Sequence, residues 1–265
     1  MNFEKISSKI IFFKQHFLFY KFNLLYKKKP WYGSRACKKK YFISGEDRLL
    51  KVDKVENSPI SENLQKYIIK QIANHKKGIV IFSDFRHGIF NKQSISQFIS
   101  SIPNKVFKVA DSQVASRWGN ILDFKNFDLI TPNEKEVRFS LADQDTAIRP
   151  LASVLFEKSN CKVLMLKLGE RGLMTVRRKI SQNDMRSFFV MDAFEKNAID
   201  PVGCGDALIS YAALSMYVSK NPLIASILGS VSAGLLSLVN GNIPILKSDV
   251  EKKLFELENA LNSIA

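Results

Sequence analysis

The stretch IDPVGCGDALISYAAL (residues 199–214) sets two aspartates on either side of a Gly-Cys-Gly turn and then runs directly into an apolar segment. Gly203 and Gly205 let the backbone turn tightly and leave no side chain between its amides and an incoming group. Residues 206–218 read as a helix starting at or near Asp206, so its free N–H groups and positive dipole end meet at the turn. A helix entrance of this kind is an anion site, with phosphate its usual occupant. Asp206 then holds a carboxylate beside a bound phosphoryl group, placed to take a proton from an attacking hydroxyl. Taken alone, the stretch reads equally as an ordinary loop in which Asp206 caps a helix. It is not the dinucleotide fingerprint, because Leu208 stands at the third glycine position, and the chain has no GxxxxGK[ST] phosphate loop.

Outward from this turn, strand-like and helix-like segments alternate from about residue 60 onward. KGIVIFSDF (77–85) is a continuous apolar run rich in β-branched residues, as a strand buried on both faces requires. The helical spacing of Ile95, Phe98 and Ile99 follows it, with Pro103 as a stop. KVFKVAD, FDLIT, KVLMLKLG, GLMTVRR and SFFVMDAF read as further strands, and residues 134–142, 146–158, 206–218 and 222–240 as helices. Residues 247–263 close the chain as an amphipathic helix, with Ser248 as its N-cap and Val250, Leu254, Leu257 and Leu261 on one face. This alternation predicts an α/β fold, an open, mostly parallel sheet covered by helices on both faces. Three zones divide the chain: a basic, aromatic segment at 1–37 left unassigned, two short strands around a turn within 38–60, and the α/β core at 61–265.

The net charge of +15 is uneven, since residues 1–51 carry 13 Lys/Arg against 3 Asp/Glu and so hold ten of the fifteen excess charges. This end reads as a solvated lysine-rich segment rather than a surface for nucleic acid or membrane. Lys14, His16 and Lys21 interrupt its apolar run, leaving no stretch near the roughly 20 apolar residues that span a bilayer. Three cysteines, odd in number and without a CxxC pair, argue against a disulfide framework or zinc site and for a reducing, cytoplasmic setting.

Four stretches in order carry a resemblance. DPVGCGDA (200–207) resembles the C-terminal signature of the ribokinase-like (PfkB) carbohydrate kinases, and TPNEKE (131–136) resembles their N-x-x-E element. LKLGERG (166–172) is similar to the strand-turn that lines the nucleotide, and SDFRHG (83–88) to a stretch of the heptose 7-phosphate kinase branch. The strands at 38–53 resemble the lid over the sugar. The resemblance implies a ribokinase-like fold and an ATP-dependent phosphotransferase acting on a sugar or sugar phosphate hydroxyl. Asp206 is then the catalytic base, and Gly203, Cys204, Gly205, Lys167, Gly169 and Gly172 meet the nucleotide or its phosphates. Asn133 and Glu136 organise Mg²⁺ through water, and Asp200 belongs to a loop near a monovalent cation such as K⁺. Asp84, Arg86 and Asp111 face the substrate, with Arg86 the better anion ligand because its fork matches phosphate. His87 stands where the branch carries lysine, and Gln113 follows Asp111 at a strand end.

Bland readings stand beside these: Asn133 as a helix cap with Glu136 in the first turn, Asp200 as a turn former before Pro201, the LGxxG as an ordinary turn. Cys204 reads as a neutral variant of the usual alanine, not as a nucleophile. The family's first strands and Gly-Gly element have no counterpart in residues 1–36, so the expected fold has truncated N-terminal strands. That predicts an exposed sheet edge and, with it, a homo-oligomer or a completing partner chain. It also keeps open a truncated, non-catalytic nucleotide-binding or regulatory relative of the sugar kinases.

Overall fold

The structure, a computed structural model, describes residues 10–13, 38–44, 47–54, 58–86, 88–114, 119–178, 187–195, 197–241 and 243–263. Its first strands are β1 (Ile10–Phe13), β2 (Lys38–Ser44) and β3 (Asp47–Lys54). There follow α1 (Glu62–Asn74), β4 (Gly78–Asp84), α2 (Lys92–Ser100), β5 (Val106–Ser112) and the two-residue β6 (Leu129–Ile130). Then come α3 (Glu134–Leu141), α4 (Ile148–Ser159), β7 (Val163–Lys167), β8 (Leu173–Arg177) and β9 (Phe188–Met191). The described chain closes with α5 (Cys204–Ser219), α6 (Pro222–Ser237) and α7 (Lys247–Asn262).

Seven strands form one sheet in the order β1-β4-β5-β6-β7-β8-β9, while β2 and β3 pair antiparallel as a separate ribbon. Pairing is parallel from β1 through β7 and antiparallel for β7–β8 and β8–β9. All seven residues of β4 are buried, which is why its sequence shows no alternation. One face packs Val80, Phe82, Ala110, Ile130, Leu164 and Leu166 against α1, α2 and α4. There Phe82 is ringed by Phe90, Phe98, Phe124 and Phe127 at centroid distances of 5.5 to 6.3 Å. The other face packs Ile79, Ile81, Val109, Leu129, Val163 and Met165 against α5 and α6. No helix among the described residues is long and apolar enough to cross a membrane.

Three details differ from the sequence reading. The edge of β4 expected to lie open is paired by β1, from the basic segment left unassigned, where Ile10–Phe13 is a short apolar run. The closing helix is capped not by Ser248 but by the Asp249 carboxylate, which accepts the Leu246 amide at 2.8 Å; Ser248 lies inside the first turn, so the aspartate that follows it reaches back to the helix start. Helix α5 begins at Cys204, two residues before Asp206. The turn at 45–46 and His87 lie outside the described residues.

Candidate active site

Alternation along the parallel strands decides which polar residues meet at their carboxyl ends, the edge where open α/β sheets place ligands. Asp111 is in register with Ser83, and Asp84 with Ser112. Asp84 therefore lies on the face of Phe82 and the phenylalanine cluster, while Asp111 lies on the face of Val109, toward α5. Lys167 shares the Asp111 face, being two residues beyond Met165, and so does Thr131, two beyond Leu129.

On the α5 face the Lys167 ammonium donates to both oxygens of Asp111, at 3.0 and 3.1 Å. Burial works against a charged lysine, but the Asp111 carboxylate, with Glu136 and Asp206 behind it, outweighs that penalty and holds the ammonium above its ordinary pKa. Lys167 also packs against the entrance of α5, where a Cβ added to Gly205 would come within 3.4 Å of Nζ. A methyl group at 205 would make only ordinary contact there, so the approach of the ammonium does not depend on glycine. Gly203, the N-cap residue, takes a left-handed φ of 95°, which turns the chain into α5. Asp206 follows in the first turn, half-buried, with its charge felt by both Lys167 and Asp111.

Glu136 is brought to the same edge by a short path. Pro132 O accepts the Lys167 amide at 2.9 Å, and Asn133 forms a bridge to Lys167, fixing the start of α3 beside the end of β7. Asn133 is the N-cap: its Oδ1 accepts the Glu136 amide at 2.9 Å, and its own N–H and Nδ2 donate to the two Glu136 oxygens at 2.7 and 2.8 Å. Burial lifts the Glu136 carboxyl from an ordinary 4.5 to about 7, with Lys167 pulling it down and Asp111 pushing it up. For Mg²⁺, each Glu136 oxygen takes one hydrogen bond from Asn133 and keeps a lone pair for water. These hard oxygen donors suit that ion. Among the described residues no three His, Cys, Asp or Glu side chains gather into a direct metal site.

The remaining residues fall into place around this cluster. Gly169 opens the turn after β7 with a φ of 63° and nothing within 4 Å of a Cβ built on it, so it borders open space. Gly172 is required by packing, since a Cβ there would meet the Met191 carbonyl at 2.0 Å. Arg171 pairs with Glu134, tying this turn to α3. Asp200 is buried, and its carboxylate accepts the amides of Val202 at 3.0 Å and Gly241 at 3.3 Å. It closes the loop ahead of α5 onto the end of α6. The Cys204 thiol is pushed up to about 11 by burial and by Asp200, which makes it a poor nucleophile.

Across the sheet, Asp84 is fully buried and accepts the Arg86 amide at 2.7 Å, Arg86 Nε at 2.7 Å and the Ser112 hydroxyl at 3.1 Å. The Arg86 guanidinium bonds Asp123 as well. Arg86 and Asp84 are brought together with each other, not with Asp111. Asp123 and Ser112 are the partners that the sequence reading missed. Ser112 adjoined Asp111 in plain view, whereas Asp123, 37 residues from Arg86, carried no local signal.

No family model matches the sequence. The chain is 22% identical over 226 residues to the bifunctional protein HldE of Sulfurimonas denitrificans, covering 83% of this chain and 45% of that protein. It thus spans less than half the length of this relative. Among solved structures, phosphofructokinase-2 from Escherichia coli in complex with potassium superposes with a TM-score of 0.64 at 18% identity, over 77% of this chain and 65% of that one. A ribokinase from Thermotoga maritima superposes with a TM-score of 0.58 at 20% identity, again over 77% of this chain and 65% of the other. The chain has the ribokinase-like fold.

Proposed function

We propose that the chain is an ATP-dependent phosphotransferase acting on a hydroxyl of a sugar or sugar phosphate, with heptose 7-phosphate the first substrate to try. One observation carries this: the glycine-opened entrance of α5, Asp206 in its first turn, and the Asp111–Lys167 pair share one strand-end edge. Asp206 takes the proton of the acceptor hydroxyl as its oxygen bonds to the γ-phosphorus and the bond from that phosphorus to the departing ADP oxygen breaks. The amides of residues 203–205 hold the charge on the transferred phosphoryl group. Asn133 and Glu136 would hold Mg²⁺ through water, and the ion supplies charge neutralisation between phosphates when bound. The loop closed by Asp200 would seat K⁺, an assignment supported by the phosphofructokinase-2 complex with potassium. Arg86 would reach a substrate anion by leaving Asp123, its more exposed partner, while Asp84 keeps its backbone in place.

A second reading, a nucleotide-binding relative without turnover, is favoured by one observation: Lys167 already occupies the Asp111 carboxylate. Calorimetric titration with ATP and Mg²⁺, run beside an ADP-release assay over a panel of sugars and sugar phosphates, separates the two. Turnover on at least one sugar phosphate is the expected result. Nucleotide binding with no ADP release on any member supports the second reading, and no nucleotide binding at all refutes both.

A further inference from the structure

The sequence holds a single Asn-Gly dipeptide, Asn240-Gly241, which lies between α6 and α7 against the loop that leads into α5. Asn-Gly is the pair most prone to lose the asparagine amide in water, because glycine puts no side chain in the path of its own nitrogen. The fold leaves that path open. Asn240 is exposed and sits in a bend outside both helices, where no run of helical bonds fixes it. Nothing lies within 4 Å of a Cβ built on Gly241. The Gly241 amide is tied to Asp200 Oδ2 by a bond of 3.3 Å, longer than is usual for N–H···O.

That bond matters to the entrance of α5. Asp200 is buried, at 5% exposure, and spends its other oxygen on the Val202 amide at 3.0 Å. The end of α6 holds the same loop, since Ser237 O accepts the amides of Ile199 and Asp200 at 2.7 and 3.0 Å. Helix α5 starts directly after it, at Cys204.

We propose that Asn240 is a site of spontaneous deamidation, and that its conversion loosens the loop ahead of α5. The Gly241 nitrogen gives up its proton to a solvent base and bonds to the carbonyl carbon of the Asn240 side chain. Ammonia leaves, closing a succinimide. Water then adds to one or the other ring carbonyl and opens the ring to aspartate or isoaspartate, with no oxidant or cofactor involved. Either product sets a new negative charge one residue from the amide that Asp200 holds, and isoaspartate also adds a methylene to the backbone ahead of Gly241. The Gly241 amide is thereby drawn off Asp200, leaving a buried carboxylate oxygen without its donor. The reaction needs neither nucleotide nor sugar, so it stands apart from the reading of the site as a phosphotransferase.

The test ages full-length protein at mildly alkaline pH and maps its peptides by chromatography and mass spectrometry, which separate asparagine, aspartate and isoaspartate. Asn240 is expected to convert, several-fold faster than at neutral pH. Hydrogen–deuterium exchange of the aged protein should quicken at residues 199–205 and stay unchanged at residues 78–84, while Asn240→Gln aged alongside keeps the exchange of fresh protein. An intact Asn240 in the aged folded protein overturns the proposal, as does conversion that leaves exchange at residues 199–205 unaltered. Quickened exchange in aged Asn240→Gln also overturns it, by tracing the loosening to another site.

Discussion

Two acid–base clusters stand on neighbouring strands, one residue apart in register, on opposite faces of the same sheet edge. On the phenylalanine face Asp84 is closed off: a guanidinium, a backbone amide and the Ser112 hydroxyl fill its oxygens, and Asp123 completes Arg86. On the α5 face the Lys167 ammonium bonds Asp111 and feels the charges of Glu136 and Asp206, beside a helix entrance turned by Gly203. The two clusters use the same residue types to different ends. A satisfied cluster fixes the chain, and here it holds Arg86 at a left-handed φ of 53°. The Lys167 cluster instead stands beside the positive end of α5, a setting that suits an anion.

The largest effect that would sharpen this contrast is on turnover. Asp206→Asn should lower kcat by about 10²–10⁴, the usual worth of a positioned base, while leaving nucleotide affinity nearly unchanged; ADP release and calorimetry read the two separately. On the closed face the effect is on stability instead. Asp84→Asn leaves Arg86 poorly paired in a buried setting and should cost about 3 kcal/mol in urea unfolding. Glu136 gives a pH signature next in size. Its native pKa of about 7 exceeds the unfolded 4.5, so between those values the native state binds more protons than the unfolded one. Stability contributed by this group is therefore present below pH 4.5 and falls as pH rises to 7, by about 2–3 kcal/mol. Glu136→Gln should remove that decline, seen as a growing difference from wild type in urea midpoints between pH 5 and 7.5. The smallest effect is expected from Asp111→Asn, about 1 kcal/mol, since the charges of Glu136 and Asp206 still act on the Lys167 ammonium. Equal losses from Asp84→Asn and Asp111→Asn would break the comparison.

Much of this fold was legible because its strands are unambiguous. Gly78–Asp84 and Val163–Lys167 are apolar runs too short for buried helices, and Asn91, Asn133 and Asn221 stand as side-chain caps before three of the helices. The position of Asp206 in a glycine-opened first turn could also be read, as could the Asn133–Glu136 spacing. What local sequence does not carry is the partner across the sheet. That Lys167 turns to Asp111, 56 residues away, follows from strand register and alternation. That Arg86 turns away, to Asp84 and Asp123, follows from the same alternation seen from the other face. The strand at Ile10–Phe13 escaped because four residues amid lysines and aromatics give no period to measure.

Hydrogen–deuterium exchange with and without ATP and Mg²⁺ tests the division of the two faces most directly. Slowed exchange at residues 203–208 and 167–172, with residues 84–86 and 121–124 unchanged, is the predicted result. Protection confined to the Asp84–Arg86 side, or none at the entrance of α5, would contradict the account.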